Sequence, residues 1–393
     1  MPTAPRVGSL ELTRLRTVSQ VNDLQQRAAA PLLDVYEEPR TDAAATRLGD
    51  EVADLLSSFS DGSADLVGGA LQLARRWGAE LSEPGAGATR QLWQALACVA
   101  AVDLTVTRVL EPHLDALAIL AQARTHGHTV LDTGAEPTPP TWGVFAAEGP
   151  GMRVQAAAQP GDSWRLDGRK PWCSLASRLD RALVTAWCGQ QRGLFAIDLH
   201  SAGVQVHDGG WVSRGLTAVT SEPIDLDGVE ATAVGPPQWY ANRPGFAWGG
   251  MGVAACWWGG AAGIVRRMAR QAGSREADQV GQLHLGAADA SLHAAGATLA
   301  LAADAVDRGV ADGAGGAALA LRVRRTVRVA AEEVLERAGH AMGPGPLVSE
   351  ADHAARIADL QLYLRQEHAE RDEAALGRML LADPAAPSTW AGG

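Results

Sequence analysis

The stretch "WRLDGRKPWCSLASRLDRALVTAW", Trp164 to Trp187, decides how the rest of the chain is read. It holds two short β-type runs, "SWRLDGRKPW" and "RALVTAWC", each rich in apolar and aromatic residues and bounded by turn formers. Asp167-Gly168 inside the first run is a hairpin signal, because that pair readily takes up positive φ. Runs of the same kind lie on either side: "WGVFAA", "MRVQAAA", "RGLFAIDL", "GVQVHDG" and "EPIDLDGVEATAV". Their regular spacing is that of an all-β unit, assigned to residues 141–240.

Upstream, residues 46–140 read as an α-helical domain behind an N-terminal extension, 1–45. Its longest stripe runs from Asp103 to Ala123 through Leu104, Leu110, Leu114, Leu117 and Leu120, with Pro112 inside it as an expected kink. His113 on this apolar helix is expected to be a core histidine. Downstream, residues 241–393 read as a four-helix bundle. A Gly- and Trp-rich helix opens near Phe246, where Trp257 and Trp258 are read as core residues. Its small residues permit close helix–helix approach. "RVRRTVR", Arg322 to Arg328, is read as a solvated helix face, with ligand phosphates or a facing acidic subunit as alternatives. "GAGG", Gly313 to Gly316, is read as a loop. The fold class is therefore α+β, with helical domain, small β-barrel or sandwich, and bundle in that order.

Composition limits the function. The chain has 393 residues, 47% of them apolar and 20% charged, as in globular proteins. A net charge of -11 argues against nucleic acid as a general partner. The four cysteines form no CxxC pair, so neither a zinc site nor a disulfide framework is expected, and a reducing cytoplasm fits. "MPTAPRVGSLELTRLRT" has no signal-peptide core, and no stretch approaches the roughly 20 apolar residues of a membrane span.

The order of these three units resembles the acyl-CoA dehydrogenase family. The opening stretch is similar to that family's Gly-x-Lys-x-Trp-Ile-Thr followed by an Ala-Asp and an apolar strand. "GVFAAEGPG" resembles its strand ending in Thr-Glu-Pro, and "GHAMGPGPLVSEADHAARIADLQLY" its Gly-Gly-x-Gly segment with a following Arg-Asp pair. The resemblance implies non-covalent FAD. Trp172 would stack near the flavin ring beside Cys173, a small packing residue. Ser174 would offer the hydroxyl that bonds flavin N5, and Ala146 and Ala147 would line the ring through their backbone. Arg275, His284 and Gly343 are the counterparts of an Arg, a Gln and a Gly that meet the adenine and pyrophosphate across a subunit interface. Pro344 departs from the pattern, since it has no N–H for a phosphate.

The resemblance also implies a reaction: α,β-dehydrogenation of an acyl thioester (acyl-CoA or acyl-carrier-protein), with hydride transfer to flavin N5 and electrons passed to an accepting flavoprotein. That chemistry needs a carboxylate base, and the family's Glu-Gly-Thr is absent. Two alignments of the last helix, "RIADLQLYLRQEHAERDE", place either Arg365 or Glu367 at the base position. On a continuous helix, at about 100° per residue, Glu367 lies about 60° from Leu364 on the buried side and Arg365 about 100° away. This favours Glu367. Two alternatives stay open: a catalytically degenerate subunit paired with an active paralogue, and a flavin-dependent oxygenase relative. A homo-oligomer (dimer or tetramer) or a hetero-oligomer is expected from the Gly/Ala-rich helix faces.

Overall fold

A computed structural model describes residues 43–58, 65–128, 138–161, 163–274 and 278–382. Among the described residues four helices come first: α1 (Ala43–Ser58), α2 (Leu66–Glu80), α3 (Thr89–Val102) and α4 (Leu104–Thr125). α3 and α4 meet at Asp103. Its backbone N–H closes α3 on the Val99 carbonyl, and its carboxylate caps α4 by accepting from the Val106 N–H at 2.8 Å. Pro112 interrupts the hydrogen bonding of α4 without ending the helix.

Seven strands follow: β1 (Trp142–Phe145), β2 (Val154–Ala158), β3 (Ser163–Ser174), β4 (Arg181–Cys188), β5 (Gln191–Asp198), β6 (Val204–Val206) and β7 (Ser221–Ala233). Pairing runs β4-β2-β3-β7-β5, and an antiparallel β4–β5 ladder closes it into a barrel. β1 adds to β4 in parallel, and β6 adds to β7. Alternate residues fill the interior, as Glu222, Ile224 and Leu226 do along β7.

The Asp-Gly of the opening stretch is not a hairpin turn. β3 runs straight through it, paired with β2 on one side and β7 on the other. Gly168, at φ 124, makes a register shift between Leu166 and its partner strand β7. This is a β-bulge. A Cβ at Gly168 would lie 2.1 Å from the Arg153 carbonyl oxygen, so the bulge demands glycine.

The short helix α5 (Trp239–Asn242) leads into α6 (Pro244–Gly273), α7 (Gln279–Asp307) and α8 (Gly313–Met342). Gly313 to Gly316 open α8 under the Asp312 cap, so they are helical where the sequence read as a loop. α9 (Gly345–Ser349) and α10 (Ala351–Tyr363) follow. Small residues let α6 touch α3 backbone to backbone: a Cβ at Gly259 would stand 2.2 Å from the Ala97 oxygen. The Trp257 and Trp258 side chains are buried, and the Trp258 indole donates to the Leu292 carbonyl of α7 at 2.8 Å.

The last helix is broken. α10 stops at Tyr363, a 3-10 turn covers Leu364–Gln366, and Ala369 takes φ 47 before α11 (Glu370–Ala382). A single helical wheel through Arg356–Glu373 therefore does not hold. α11 lies back on α8, and the arginines of Arg322–Arg328 meet the chain's own acids. Arg325 and Arg328 bind Glu373 at 3.0 and 2.9 Å. Only part of that run is a solvated face. No described helix is long and apolar enough to cross a membrane.

Candidate active site

Three charged residues of α4 stand at helical spacing: Arg108, Glu111 and Asp115. Arg108 and Glu111 are each 8% exposed, and Arg108 Nη1 donates to Glu111 Oε2 at 3.0 Å. Arg108 Nη2 reaches the end of β3, 3.4 Å from Ser174 Oγ. Ser174 Oγ lies 2.7 Å from Ser221 Oγ on β7, and Ser221 donates to the Val219 carbonyl. With that proton committed, Ser174 donates to Ser221 and accepts from Arg108. The Arg108 guanidinium also sits 5.1 Å from the centre of the Tyr363 ring of α10. Helical domain, barrel and bundle thus meet at Arg108.

Burial dominates the electrostatics here. It pushes the Glu111 carboxyl up to about 7, against the pull of Arg108 and with a further push from Asp115. Burial also raises Asp115, with the Arg243 charge opposing. Burial works against the charge of Arg108, but Tyr363 and Glu111 more than offset it. The Tyr363 hydroxyl and the Cys256 thiol are both raised by burial. The Tyr363 hydroxyl is buried with the Arg108 guanidinium and the Cys256 thiol as its polar neighbours.

Asp115 differs from its neighbours. Among the described residues it makes no hydrogen bond and no ion pair, whereas each arginine around it has partners. Arg243 donates to Gln122 Oε1 at 3.3 Å and lies over the Tyr240 ring. Arg324 donates to the carbonyls of Gly250 and Gln366, at 2.9 and 3.1 Å, and lies over the Trp257 ring. Asp115, Tyr240 and Arg324 are half-buried, yet burial displaces the pKa of each. The Asp115 carboxylate packs against the start of α6, where a Cβ at Gly249 would stand 2.8 Å from Oδ1.

The residues marked out by sequence fall in three places. Trp172, Cys173 and Ser174 end β3, where Ser174 meets Arg108. Trp172 is 59% exposed with φ 58, and Leu175 has φ 59, so the backbone on both sides of Ser174 is strained. Cys173 is buried, with its thiol pushed up to about 12 by burial, and it packs. Ala146 and Ala147 follow β1. They are tied to β3 through Lys170, whose ammonium binds Glu148 Oε1 at 3.1 Å and Thr185 Oγ1 at 2.8 Å. The Ala146 carbonyl accepts from Arg192 at 2.8 Å, and Ala147 is exposed.

The second group lies on α7 and α8. The His284 ring is 5.5 Å from that of His340, three residues before Gly343, which ends α8 at φ 65. Arg275 lies outside the described residues.

Glu367 forms the third. It caps the 3-10 turn, is 4% exposed, lies 2.6 Å from Arg328 Nε and accepts from the Ala369 N–H at 2.9 Å. The helical break takes it away from the continuous face that the wheel required. Arg365 is exposed and pairs with Glu332. His113 is the core histidine expected, its Nδ1 accepting from the Trp142 N–H at 3.1 Å.

Sequence reading passed over Arg108, Glu111 and Asp115. The available signal was their spacing of three and four residues on an apolar helix, which a surface ion pair also shows.

No family model and no curated protein matches the chain. Solved structures do. KijD3 in complex with FMN and dTDP-3-amino-2,3,6-trideoxy-4-keto-3-methyl-D-glucose aligns over 91% of this chain and 97% of its own, with TM-score 0.74 and 16% identity. The nitrososynthase of Micromonospora carbonacea var. africana aligns over 90% and 99%, at TM-score 0.72 and 16% identity. Dibenzothiophene monooxygenase TdsC of Paenibacillus sp. A11-2 aligns over 86% and 97%, at TM-score 0.67 and 19% identity, and an FMN-bound TdsC is similar as well. The likeness establishes the fold, which is acyl-CoA dehydrogenase-like.

Proposed function

We propose that the chain is a flavin-dependent oxidoreductase that holds FMN against Trp172 and Ser174 and acts on a polar small molecule beside the ionisable groups of α4. The observation carrying this reading is Trp172. A large indole 59% exposed, on a left-handed backbone beside a hydroxyl pair, offers a face on which a planar ring can stack. These residues fit a flavin ring: an aromatic face, the backbone of Ala146 and Ala147, and the Ser174 hydroxyl. The FMN complexes of KijD3 and TdsC, on the same fold, support the cofactor class. FAD, implied by the family resemblance, needs a pyrophosphate site, and Pro344 withholds a donor there. FMN is therefore the preferred form.

A bound flavin supplies the redox-active ring, which no side chain here provides. The chain's own residues would do the rest. Trp172 would orient the ring. Ser174, fixed by Ser221 and Arg108, would set a hydrogen bond at its edge. Glu111, held at about 7, would keep or release a proton near neutral pH. Tyr363, Cys256 and Trp257 are buried behind Arg108 and would keep water from that side.

The oxygenase type fits better than acyl-thioester dehydrogenation. The ionisable pair beside Ser174, formed by Arg108 and Glu111, suits a polar substrate better than an acyl chain. Glu367, the base that dehydrogenation would need, is held by Arg328. FMN and FAD titrations followed by flavin fluorescence test the reading. FMN should bind, and Trp172→Ala should weaken it at least tenfold. Binding of neither flavin would overturn the reading in favour of a degenerate subunit. Glu367→Gln separates the two chemistries. It should lower the unfolding midpoint; an unchanged midpoint, with bleaching by an acyl thioester abolished, would restore Glu367 as a base.

A further inference from the structure

We infer that Ser221 and Arg108 are positioning residues for the cofactor. Between them they turn the Ser174 hydroxyl so that it presents a lone pair to the flavin, and the hydroxyl thereby favours reduced FMN over oxidised. The inference rests on the flavin reading and says which oxidation state that site prefers.

A serine hydroxyl has one proton to give and two lone pairs that can accept. The β3–β7 ladder sets Ser174 opposite Ser221, with their oxygens 2.7 Å apart. Ser221 gives its own proton to the Val219 carbonyl at 3.2 Å, in the turn that Val219 closes by donating to the Leu216 carbonyl. Ser221 is then an acceptor towards Ser174, and it takes up the Ser174 proton. On its other side Ser174 meets Arg108 Nη2 at 3.4 Å. A guanidinium has donors and no acceptor, so Arg108 occupies one lone pair of Ser174. Of the three positions, a lone pair is left.

The neighbours are held in place. Arg108 is 8% exposed, its Nη1 donates to Glu111 at 3.0 Å, and its guanidinium lies 5.1 Å from the centre of the Tyr363 ring. The backbone beside the pair is fixed where the Leu175 N–H, at φ 59, donates to the Thr220 carbonyl at 2.8 Å. Ser174 itself is only half-buried, so its last position can meet a ligand.

The family resemblance sets flavin N5 against this hydroxyl. N5 of the oxidised ring carries a lone pair and no hydrogen. Reduction by two electrons, with uptake of a proton, puts a hydrogen on N5. A lone pair on Ser174 bonds that N–H and faces the oxidised N5 without a bond. For Ser174 to donate to the oxidised ring, Ser221 would have to leave the Val219 carbonyl and donate to Ser174, with the loss of one hydrogen bond. Such a bond is worth roughly three- to tenfold in an equilibrium constant.

Anaerobic spectroelectrochemical titration of the FMN-loaded protein at pH 8.5 tests this. There Glu111, held at about 7, is ionised and offsets the Arg108 charge, so the midpoint potential reports the hydroxyls. Ser221→Ala frees the Ser174 proton and should lower the midpoint by about 15–30 mV, which is three- to tenfold for two electrons. Ser221→Thr keeps the hydroxyl and should keep the midpoint. Ser174→Ala removes the acceptor, should also lower the midpoint, and serves if the Ser221→Ala protein does not fold. Its sign is decisive, because loss of a Ser174 that donated to oxidised N5 would raise the midpoint. A merely structural role would weaken both oxidation states alike and leave the midpoint unmoved. A midpoint raised by Ser174→Ala, unmoved by Ser221→Ala, or lowered as much by Ser221→Thr, in protein that binds FMN, would overturn the inference alone. Failure to bind FMN, seen beforehand by flavin fluorescence, would overturn the flavin reading and this inference with it.

Discussion

Glu111 and His113 lie two residues apart on α4 and titrate in opposite senses. Burial holds Glu111 at about 7 in the fold, against 4.5 for the free side chain. The folded state therefore keeps a proton that the unfolded state has lost, and stability falls as pH rises from about 4.5 to about 7. Burial, with help from Arg75, lowers His113 from 6.5 to about 4. Here the unfolded state takes up the proton first, so stability falls as pH drops from about 6.5 to about 4. Urea midpoints measured across pH 4 to 8 should show Glu111→Gln flattening the decline on the alkaline side. His113→Asn, which keeps an acceptor for the Trp142 N–H, should flatten the acid side. Unchanged slopes would mean that neither group is as buried as described. His113 was legible as a core residue, because a single polar residue on an apolar face has few other roles. Glu111 and Asp115 were not, because what makes them unusual is the barrel end and α6 closing over them, contacts between segments far apart in sequence.

At the scale of the element, sequence signals conveyed backbone conformation better than partners. Asp167-Gly168 does take the positive φ that its composition favours, but it bends a strand paired on both sides instead of joining two. The helical pattern after Arg356 continues in its apolar positions, yet Ala369 at φ 47 turns the chain so that α11 can meet the arginines of α8. That ionic match depends on two segments folding together, and no local window contains it. The small-residue reading of α6 did carry over, since Gly259 and Gly263 approach the carbonyls of Ala97 and Ala101. Gly259→Ala should accordingly destabilise the protein by about 3 kcal/mol or more, because backbone must move. Gly286→Ala in α7, with nothing within 4 Å of its Cβ, should stabilise by about 0.5–1 kcal/mol. Chemical unfolding of the two variants checks the contrast, and equal effects would mean that α6 and α3 are not in contact.

Across the whole molecule, α10 ties the three units together. Arg356 donates to the Val102 carbonyl of the first helices at 2.7 Å. Asp359 accepts from the Leu216 N–H after β6 at 2.5 Å, holding a leucine at φ 49 that would otherwise relax. Asp359→Leu should cost about 1–3 kcal/mol and leave a buried N–H unpaired. It should also split one calorimetric unfolding peak into two, as the barrel uncouples from the helices. Asp359→Asn, which keeps the acceptor oxygen, should retain one peak; a single peak in both variants would mean that the units are joined elsewhere. The order of the three units was readable because a segment of strand period lies between two of helical period. The joints were not, because each is one polar side chain reaching a distant backbone atom. The contact of Gly259 with Ala97 bears on how the protein is made. A ribosome delivers α3 long before α6, so the nascent chain displays the apolar face of α3 through the synthesis of the entire barrel. Chaperone demand should thus peak before residue 259 emerges, and fragments ending at the barrel should aggregate where the full chain does not.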